Sequence, residues 1–341
     1  MKVLFIGGTG TISSAITKQL EKSPCELYLL NRGNRTSELA PNVKIIKADI
    51  HDEPLVNQLL EGEKFDVVCD FIGFKREDVE RDYRLFNGKT RQYIFISSAS
   101  AYQKPLGDYR ITEGTPLSNP YWGYSRDKIA CEEFLLKQYR ENGFPITIVR
   151  PSHTYDERSI PLGVHGKNGS WQVVKRMLEG KPVIIHGDGT SLWTMTHNSD
   201  FAKGFIGLMG NTHAIGQAFQ ITSDETLTWN QIYQSIANAL NVTLKPYYVP
   251  SDFLNQVGPA YDFEGSLIGD KANSVVFDNT KLKRAVPDFC ATTRFDQGVK
   301  MTIENILAHK ELQKEDPEFD QWCDKVIEAM EQAKRAISSL K

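Results

Sequence analysis

The chain has 341 residues, 24% of them charged, and a formal net charge of −3. This length is enough for two domains, or for one domain with a substantial cap. The slightly acidic balance argues against proteins that bind nucleic acid or a membrane surface, because these usually have a basic face. No apolar run reaches the length of a membrane span, and glycines interrupt the N-terminal run where a signal peptide would be apolar.

The cysteines and histidines form no recognisable ligand set. Five cysteines are scattered at positions 25, 69, 131, 290 and 323. Their spacing matches neither a disulfide framework nor a metal site, and no pair of histidines has metal-ligand spacing. We therefore expect a cytoplasmic protein with reduced thiols and no bound metal.

Short apolar runs alternate with helical patterns through the first 150 residues. The runs predict buried strands at 2–6, 26–30, 43–47, 66–70, 92–96 and 146–149. Helical periodicity is clearest at 11–20 and 123–139. Strands separated by helices of this length predict an α/β fold with a Rossmann-like, doubly wound parallel sheet. Such sheets bind their ligands beyond the carboxyl ends of the strands.

The pattern changes after residue 150. Residues 156–169 are rich in glycine, proline and charge, which is typical of a surface loop, and 171–178 reads as a helix. We expect a first domain at 1–150, a smaller second domain at 151–300 interleaved with the first, and a helical tail at 301–341. Apolar residues at 322, 326, 330, 333 and 337 form one stripe in this tail. The stripe favours a helix packed on the body of the protein over a dimer contact.

A glycine-rich turn follows the first predicted strand. Its spacing is Gly7-x-x-Gly10-x-x-Ser13, with a small serine where glycine or alanine is usual. Such a turn lets the backbone approach the phosphates of a dinucleotide and directs a helix N-terminus at their charge. This makes residues 1–150 a dinucleotide-binding domain and 151–300 the substrate domain. The cofactor contacts expected from the turn are Gly7, Gly8, Thr9, Gly10, Thr11 and Ile12.

The residues after the second predicted strand select the nicotinamide cofactor. An acidic residue there would bind the ribose diol of NAD, whereas an arginine would accept the 2′-phosphate of NADP. The segment 31–35 reads NRGNR and has no carboxylate. Asn31, Arg32 and Arg35 therefore predict a preference for NADP(H), with NAD(H) and a merely solvated basic loop as the alternatives. Asp49, after the third strand, either contacts the adenine amino group or caps the next helix.

Tyr124 and Lys128 stand four residues apart and share a face if they lie on a helix. A phenol has a reference pKa of about 10, and a neighbouring ammonium group lowers the pKa of a phenol. Ser98 follows a predicted strand and would donate a hydrogen bond to a substrate oxygen. The spacing alone fits an ordinary amphipathic helix. The glycine turn and the serine pair in the same chain favour a proton-transfer site, with Lys128 and Tyr124 also contacting the nicotinamide ribose.

Together these motifs resemble the extended short-chain dehydrogenase/reductase family, which includes the NAD(P)-dependent epimerases and dehydratases. The resemblance covers nearly the whole chain. It implies an oxidoreductase or epimerase that transfers hydride at a hydroxyl or ketone carbon of a small sugar-like, polyol or carbonyl substrate. It also implies that a homodimer is possible, with no nucleic-acid or membrane partner. The matching segments are 96–102 (ISSASAY), Tyr124 with Lys128, 150–155 (RPSHTY), 187–190 (GDGT), 200–202 (DFA) and 278–281 (DNTK).

Three departures from the family pattern narrow the substrate. Trp193 stands where sugar-nucleotide epimerases usually have an arginine that binds the diphosphate, which makes a nucleotide sugar less favoured. Ala99 and Ser100 replace the Asp-Glu pair of sugar 4,6-dehydratases, and Asp156 replaces a glycine. The substrate-lining residues that we expect are Phe74, Ser98, His153 and Trp193.

Residues 1–33 also resemble the chloroplast stem-loop-binding branch of the same family. This resemblance implies an alternative, a non-catalytic redox sensor or RNA-binding protein on the same scaffold. The retained Ser98, Tyr124 and Lys128 favour catalysis, because a sensor needs no proton donor. The acidic balance also argues against an RNA partner.

Overall fold

The structure is a computed structural model that describes residues 1–33 and 39–339. The chain divides into two compact units. The first unit consists of Met1–Thr154, Thr194–Asp224 and Val276–Thr293. The second consists of Tyr155–Trp193, Glu225–Val275 and the segment from Arg294 onward.

Strands and helices alternate along most of the chain. The strands are β1 (Lys2–Ile6), β2 (Glu26–Asn31), β3 (Lys44–Lys47), β4 (Val67–Asp70), β5 (Tyr93–Ile96), β6 (Arg110–Ile111), β7 (Ile146–Pro151), β8 (His153–Tyr155), β9 (Val183–His186), β10 (Leu192–Trp193), β11 (Met195–His197), β12 (Gln217–Ile221), β13 (Leu227–Thr228), β14 (Pro246–Val249) and β15 (Val276–Phe277). The α-helices are α1 (Thr11–Leu20), α2 (Glu53–Leu59), α3 (Arg76–Phe86), α4 (Gly123–Asn142), α5 (Trp171–Leu178), α6 (Asn198–Leu208), α7 (Trp229–Ala239), α8 (Ser251–Val257), α9 (Thr280–Ala285), α10 (Phe295–Ala308) and α11 (Pro317–Ser338). Within the described ranges, no helix combines the length and apolarity needed to cross a membrane.

The first unit is built on a seven-stranded sheet with the order β12-β7-β5-β4-β1-β2-β3. All six pairings in this sheet are parallel. The chain runs outward from β1 to β2 and β3, and then returns to place β4 on the other side of β1. This reversal leaves a crevice at the carboxyl ends of β1 and β4. The predicted α/β class with a doubly wound parallel sheet is confirmed.

Both faces of this sheet are covered by helices. Val3 and Phe5 pack into a core with α1 and α6, whereas Leu4 and Ile6 pack into a second core with α2, α3 and α4. Successive side chains of a strand point to opposite faces of the sheet. Because both faces are covered here, every position of such a strand is apolar. Each fully buried side chain of this kind contributes about 1.5–3 kcal/mol, which explains the continuous apolar runs in the sequence.

In the described part of the second unit the sheets are short and two-stranded, one parallel between β9 and β14 and one antiparallel between β10 and β13. Its last helix, α11, is anchored at its N-terminal half, where Phe319, Cys323 and Val326 are buried. The predicted packing of an apolar stripe along the whole tail is wrong at its far end, because Ile337 is 68% exposed. Packing is confined to the first turns of α11, where the rings of Phe319 and Trp322 stack with centroids 5.6 Å apart.

Candidate active site

A cavity of about 780 Å³ lies at the carboxyl edge of the sheet in the first unit. Its size suits a small molecule or cofactor. Arg35 lies outside the described residues. The other cofactor residues expected from the sequence all line the cavity: Gly7, Gly8, Thr9, Gly10, Thr11, Ile12, Asn31, Arg32, Asp49, Tyr124 and Lys128.

The glycine turn after β1 needs glycine at two positions. Gly7 has a φ of +99° and Gly8 a φ of +98°, which side chains disfavour. A Cβ on Gly8 would lie 2.7 Å from Cδ2 of Leu29, and one on Gly7 would lie 3.1 Å from Cγ2 of Ile72. The bare backbone therefore packs against strand β2 on one side and faces the cavity on the other.

Helix α1 begins directly after this turn and keeps its positive end uncovered. Gly10 precedes the helix and has no side chain to cap it, and the first turn of Thr11–Leu20 contains no acidic residue. Ser13 is 1% exposed and accepts a hydrogen bond from the Gly10 amide at 2.9 Å. Thr17 donates to the Gly8 carbonyl at 2.8 Å and fixes the turn. The cradle of glycine backbone and the helix N-terminus fit the pyrophosphate of a dinucleotide.

Asn31 and Arg32 extend the cavity beyond β2. The Asn31 amide donates to the Gly7 carbonyl at 3.5 Å, and its oxygen accepts from the Gly33 amide at 2.8 Å. Asn31 thus joins the end of β2 to the glycine turn. Arg32 is exposed and lines the cavity. Its guanidinium is available to an anionic ligand at this end of the site.

Asp49 lies in the cavity wall after β3, where its carboxylate accepts from the His51 amide at 3.0 Å. The alternative role considered for it, capping of the next helix, is wrong. Asp52 caps α2 instead, accepting from the Leu55 amide at 3.2 Å. Asp49 and Asp52 are three residues apart in the sequence, and only Asp52 lies at the start of the helix.

Tyr124 is the second residue of α4 and is half-buried. Its ring lies between Phe74, with centroids 6.5 Å apart, and Trp122, with centroids 5.1 Å apart. The Nζ atom of Lys128, one turn later, is 5.8 Å from the centre of the Tyr124 ring. The helix therefore brings the phenol and the ammonium group to one face, as their spacing predicts.

Lys128 is almost fully enclosed, with 2% of its surface exposed. Its Nζ donates to the carbonyls of Gly73 at 2.6 Å and Ile96 at 2.7 Å. The ammonium also lies 4.8 Å from the centres of the Phe74 and Phe95 rings. Burial lowers the pKa of Lys128 to about 8. An ammonium group has three donor hydrogens, so one remains for a ligand or for the phenol.

Ser98 follows β5 and ends a chain of hydroxyl groups. Its Oγ is 2.9 Å from the Oγ of Ser100, which accepts from Ser125 at 2.7 Å. The side-chain amide of Asn119 donates in turn to Ser125 Oγ at 3.3 Å. When each hydroxyl donates to the next, the Ser98 proton points to the end of the chain, where a substrate oxygen would accept it. Ser100 and Ser125, which support Ser98, could not be recognised from their positions in the sequence.

A buried ion pair connects helix α4 with strand β7. Glu132 of α4 accepts from Arg150 of β7 through both carboxylate oxygens, and also from the hydroxyl of Ser97. Glu132 is 0% exposed and Arg150 is 4% exposed. The pair ties the helix that carries Tyr124 and Lys128 to strand β7, and the Ser97 hydroxyl ties it to the segment just after β5. Its residues were not singled out in the sequence, because a salt bridge across the fold leaves no local spacing.

The four substrate residues expected from the sequence lie in different places. Phe74 and Ser98 line the cavity. His153, half-buried in β8, and Trp193 are not among its lining residues. Trp193 belongs to the second unit, is 3% exposed, and stacks on Trp229 with centroids 5.9 Å apart. Ile72 also lines the cavity and was not among the expected residues. Its position just after β4 is a sequence signal, because ligands bind beyond the carboxyl ends of parallel strands.

The chain was compared with known proteins. The model of the NAD dependent epimerase/dehydratase family matches residues 3–222. A 2'-dehydrokanamycin reductase from Streptomyces kanamyceticus is 24% identical over 289 residues, which cover 85% of this chain and 80% of that protein. The chloroplast stem-loop binding protein of 41 kDa b from Arabidopsis thaliana is 26% identical over 253 residues, covering 70% of this chain. This match spans 63% of the chloroplast protein, less than two thirds of its length.

Solved structures share the fold. The crystal structure of UDP-glucuronic acid 4-epimerase from Bacillus cereus, in complex with UDP-glucuronic acid and NAD, has a TM-score of 0.71 and 20% sequence identity. The match covers 90% of this chain and 99% of that one. At this level of identity the likeness establishes the fold.

Proposed function

Because the chain belongs to the NAD dependent epimerase/dehydratase family, a family of enzymes, we propose that it is an oxidoreductase or epimerase of a small hydroxyl or ketone substrate. The observation that carries this proposal is that Ser98, Tyr124 and Lys128 line the same cavity as the glycine turn. A nicotinamide cofactor held by the glycine turn and Arg32 would supply hydride transfer to and from carbon. The protein must bind this cofactor, orient the substrate and move a proton.

Tyr124 moves the proton. Its phenolic oxygen accepts the hydroxyl proton of the substrate during oxidation and returns it during reduction. The Lys128 ammonium, 5.8 Å from the ring centre, favours the phenolate over the phenol. With a pKa of about 8, Lys128 carries this charge at neutral pH. Tyr124 can then work near the pH of the cell.

Ser98 orients the reacting oxygen. When Ser125 donates to Ser100 at 2.7 Å and Ser100 donates to Ser98 at 2.9 Å, the Ser98 proton is left for the substrate. A donor fixed in this way stabilises the negative charge that develops on a substrate oxygen, and costs no reorganisation during the reaction. Ser98 and Tyr124 together hold the carbon–oxygen bond that is oxidised or reduced.

The expected cofactor is NADP(H), on the strength of Arg32 in the cavity wall beyond β2. Titration of the protein with NADPH and with NADH, followed by cofactor fluorescence, tests this preference. Arg32→Ala should weaken NADPH binding about tenfold and NADH binding far less, because a charge-assisted contact to phosphate is lost. Arg91→Ala, at an 87% exposed side chain, is the matched control. Equal losses for both cofactors would contradict the preference.

For the substrate we propose a sugar-like or other polyol or carbonyl compound that lacks a nucleotide diphosphate. The support for this class is the absence of the usual diphosphate-binding arginine at position 193, because the indole that stands there cannot neutralise a diphosphate. Trp193 itself stacks on Trp229 and does not line the cavity. The name of the Streptomyces relative denotes a reductase, which fits the same class of reaction. Mass spectrometry of the ligands that copurify with the protein tests both cofactor and substrate. A copurifying nucleotide sugar would overturn the proposed substrate class.

A second candidate rests on the chloroplast relative, whose name denotes binding to stem-loops. In that case the protein would bind RNA and would not turn over a substrate. RNA binding that weakens steeply with salt, in a protein without nicotinamide turnover, would favour it. The net charge of −3 and the assembled Ser98, Tyr124 and Lys128 favour the enzyme.

A further inference from the structure

Two carboxyl groups are buried behind the turn that follows β4. Asp70 ends the strand, Asp82 lies in α3, and both are 0% exposed. Asp70 Oδ1 accepts hydrogen bonds from the amides of Ile72 at 2.8 Å and Gly73 at 3.0 Å. Because Ile72 lines the cavity, the Asp70 carboxylate holds part of the cavity wall in place.

Gly73 connects this carboxylate to the catalytic lysine. Its amide donates to Asp70, and its carbonyl accepts from Lys128 Nζ at 2.6 Å. A Cβ on Gly73 would lie 2.1 Å from Asp70 Oδ2, so only glycine permits this approach. Hydrogen bonds thus run without interruption from Asp70 through one residue to the Lys128 ammonium.

The charged and titratable groups around Asp70 come from three elements. Asp82 and Arg81 lie on α3, Tyr93 on β5 and Lys128 on α4. Asp82 accepts from the Tyr93 hydroxyl at 2.6 Å and from Arg81 Nε at 2.9 Å. Burial and the negative charge of Asp70 raise the pKa of Asp82 well above its ordinary value. Asp70 Oδ2 has no N–H or hydroxyl donor in the described part of the chain, and a proton on Asp82 would satisfy it.

The same carboxylate is the principal buried counter-charge of Lys128. Burial lowers the pKa of Lys128, and the charge of Asp70 opposes this most strongly. Asp78 and Glu132 act in the same direction to a smaller extent. Burial raises the pKa of the Cys131 thiol to about 12, so this group stays neutral where Lys128 titrates. Glu132 is already paired with Arg150, so its charge is largely compensated.

We propose that Asp70 is a positioning residue of the active site, which fixes the Gly73 carbonyl against Lys128 and keeps the Lys128 ammonium protonated at neutral pH. The proposal rests on the proposed role of Lys128 beside Tyr124. It adds a buried acid that touches neither substrate nor cofactor. Its effect reaches the reaction only through the lysine.

Asp70→Asn tests the proposal, because an amide oxygen can still accept from Gly73 but carries no charge. Lysines labelled with ¹³C at Cε are titrated by NMR in the full-length protein, and the Lys128 signal is identified by its loss in Lys128→Met. In Asp70→Asn the Lys128 midpoint should move to lower pH by about one pH unit or more, as loss of a buried counter-charge requires. The upper limb of the kcat/KM profile should move with it. An unmoved midpoint overturns the proposal.

Asp127→Asn is the matched control. It removes the same charge next to Lys128 in the sequence, but from a half-buried position. Screening by water should limit its effect on the Lys128 midpoint to about 0.3 pH unit. A control that moves the midpoint as far as Asp70→Asn would also overturn the proposal, because the effect would then not belong to the buried carboxylate.

The coupling can also be measured from the other side, which keeps the test open if Asp70→Asn does not fold. Coupling between two sites is reciprocal, so loss of the Lys128 charge must make the Asp70–Asp82 pair harder to ionise. With ¹³C-labelled aspartate, Lys128→Met should move the titration of this pair to higher pH. An unchanged titration overturns the proposal. These titrations need no turnover, so a coupled but inactive protein would overturn the proposed function and leave this inference standing.

Discussion

Arg150 and Glu132 form a buried two-pronged ion pair, with Nε 2.9 Å from Oε1 and Nη2 2.6 Å from Oε2. Glu132 lies one helical turn after Lys128, so this pair sets the position of the face of α4 that carries Lys128. Glu132→Gln should lower the free energy of unfolding by about 3–5 kcal/mol, because it leaves the Arg150 charge buried without its partner. Urea denaturation measures the loss.

The exposed pair Lys137–Glu141 in the same helix provides the control, with more than half of each side chain exposed. Glu141→Gln should change the free energy of unfolding by about 0.5 kcal/mol or less. A similar loss in both variants would mean that the buried pair contributes nothing special to the position of α4.

Gly8→Ala should impair the cofactor site through the backbone. The added Cβ would lie 2.7 Å from Leu29, in a residue with a φ of +98°. Either the turn or strand β2 must shift, so we expect a loss of about 1–3 kcal/mol in stability and at least a tenfold loss in dinucleotide affinity. Calorimetry with NADP and thermal denaturation measure the two effects.

Gly62→Ala is the control that separates backbone strain from displacement of neighbouring side chains. Gly62 also has a positive φ, +74°, but an added Cβ would have no neighbour within 4 Å. This variant should lose some stability and bind the cofactor as the wild type does. If Gly8→Ala also kept its affinity for the dinucleotide, the glycine turn would not be the phosphate site.

Lys128 makes stability depend on pH in a defined window. The folded-state pKa of about 8 lies below the ordinary value of 10.5, so between these pH values the unfolded chain binds more protons. The free energy of unfolding therefore rises with pH across this window, and the penalty for burying the charge is complete below pH 8. Relative to Lys128→Met, the wild type should gain about 3 kcal/mol from pH 8 to pH 10.5. A flat difference between the two proteins would show that Lys128 is not desolvated.

Much of the first unit could be predicted from the sequence. Strand Lys2–Ile6 and helix Thr11–Leu20 have their predicted bounds, since an apolar run buried on both faces and a glycine at a helix start are local signals. Membership of the epimerase/dehydratase family, predicted from the motifs, is confirmed by the family model. The pairing of Tyr124 with Lys128 could be predicted because residues four apart on a helix share one face.

What the sequence did not predict depends on contacts between distant segments. The Gly73 carbonyl accepts from Lys128, more than fifty residues away, and the Gly73 amide donates to Asp70; no sequence spacing records these contacts. Trp193 was expected in the pocket, yet it stacks on Trp229 from another segment of the second unit. A motif locates a residue relative to a strand end, but tertiary packing decides the direction of its side chain.

Replacement of the Tyr124 hydroxyl tests the central claim most directly. Tyr124→Phe keeps the ring contacts with Phe74 and Trp122 but removes the hydroxyl that we propose to transfer the proton. We predict that kcat falls about a thousandfold while the Kd for the dinucleotide changes little, since proton transfer is lost and the cofactor cradle is intact. Tyr139→Phe, at a 37% exposed position in the same helix, should retain wild-type turnover. Full turnover in Tyr124→Phe would contradict the account.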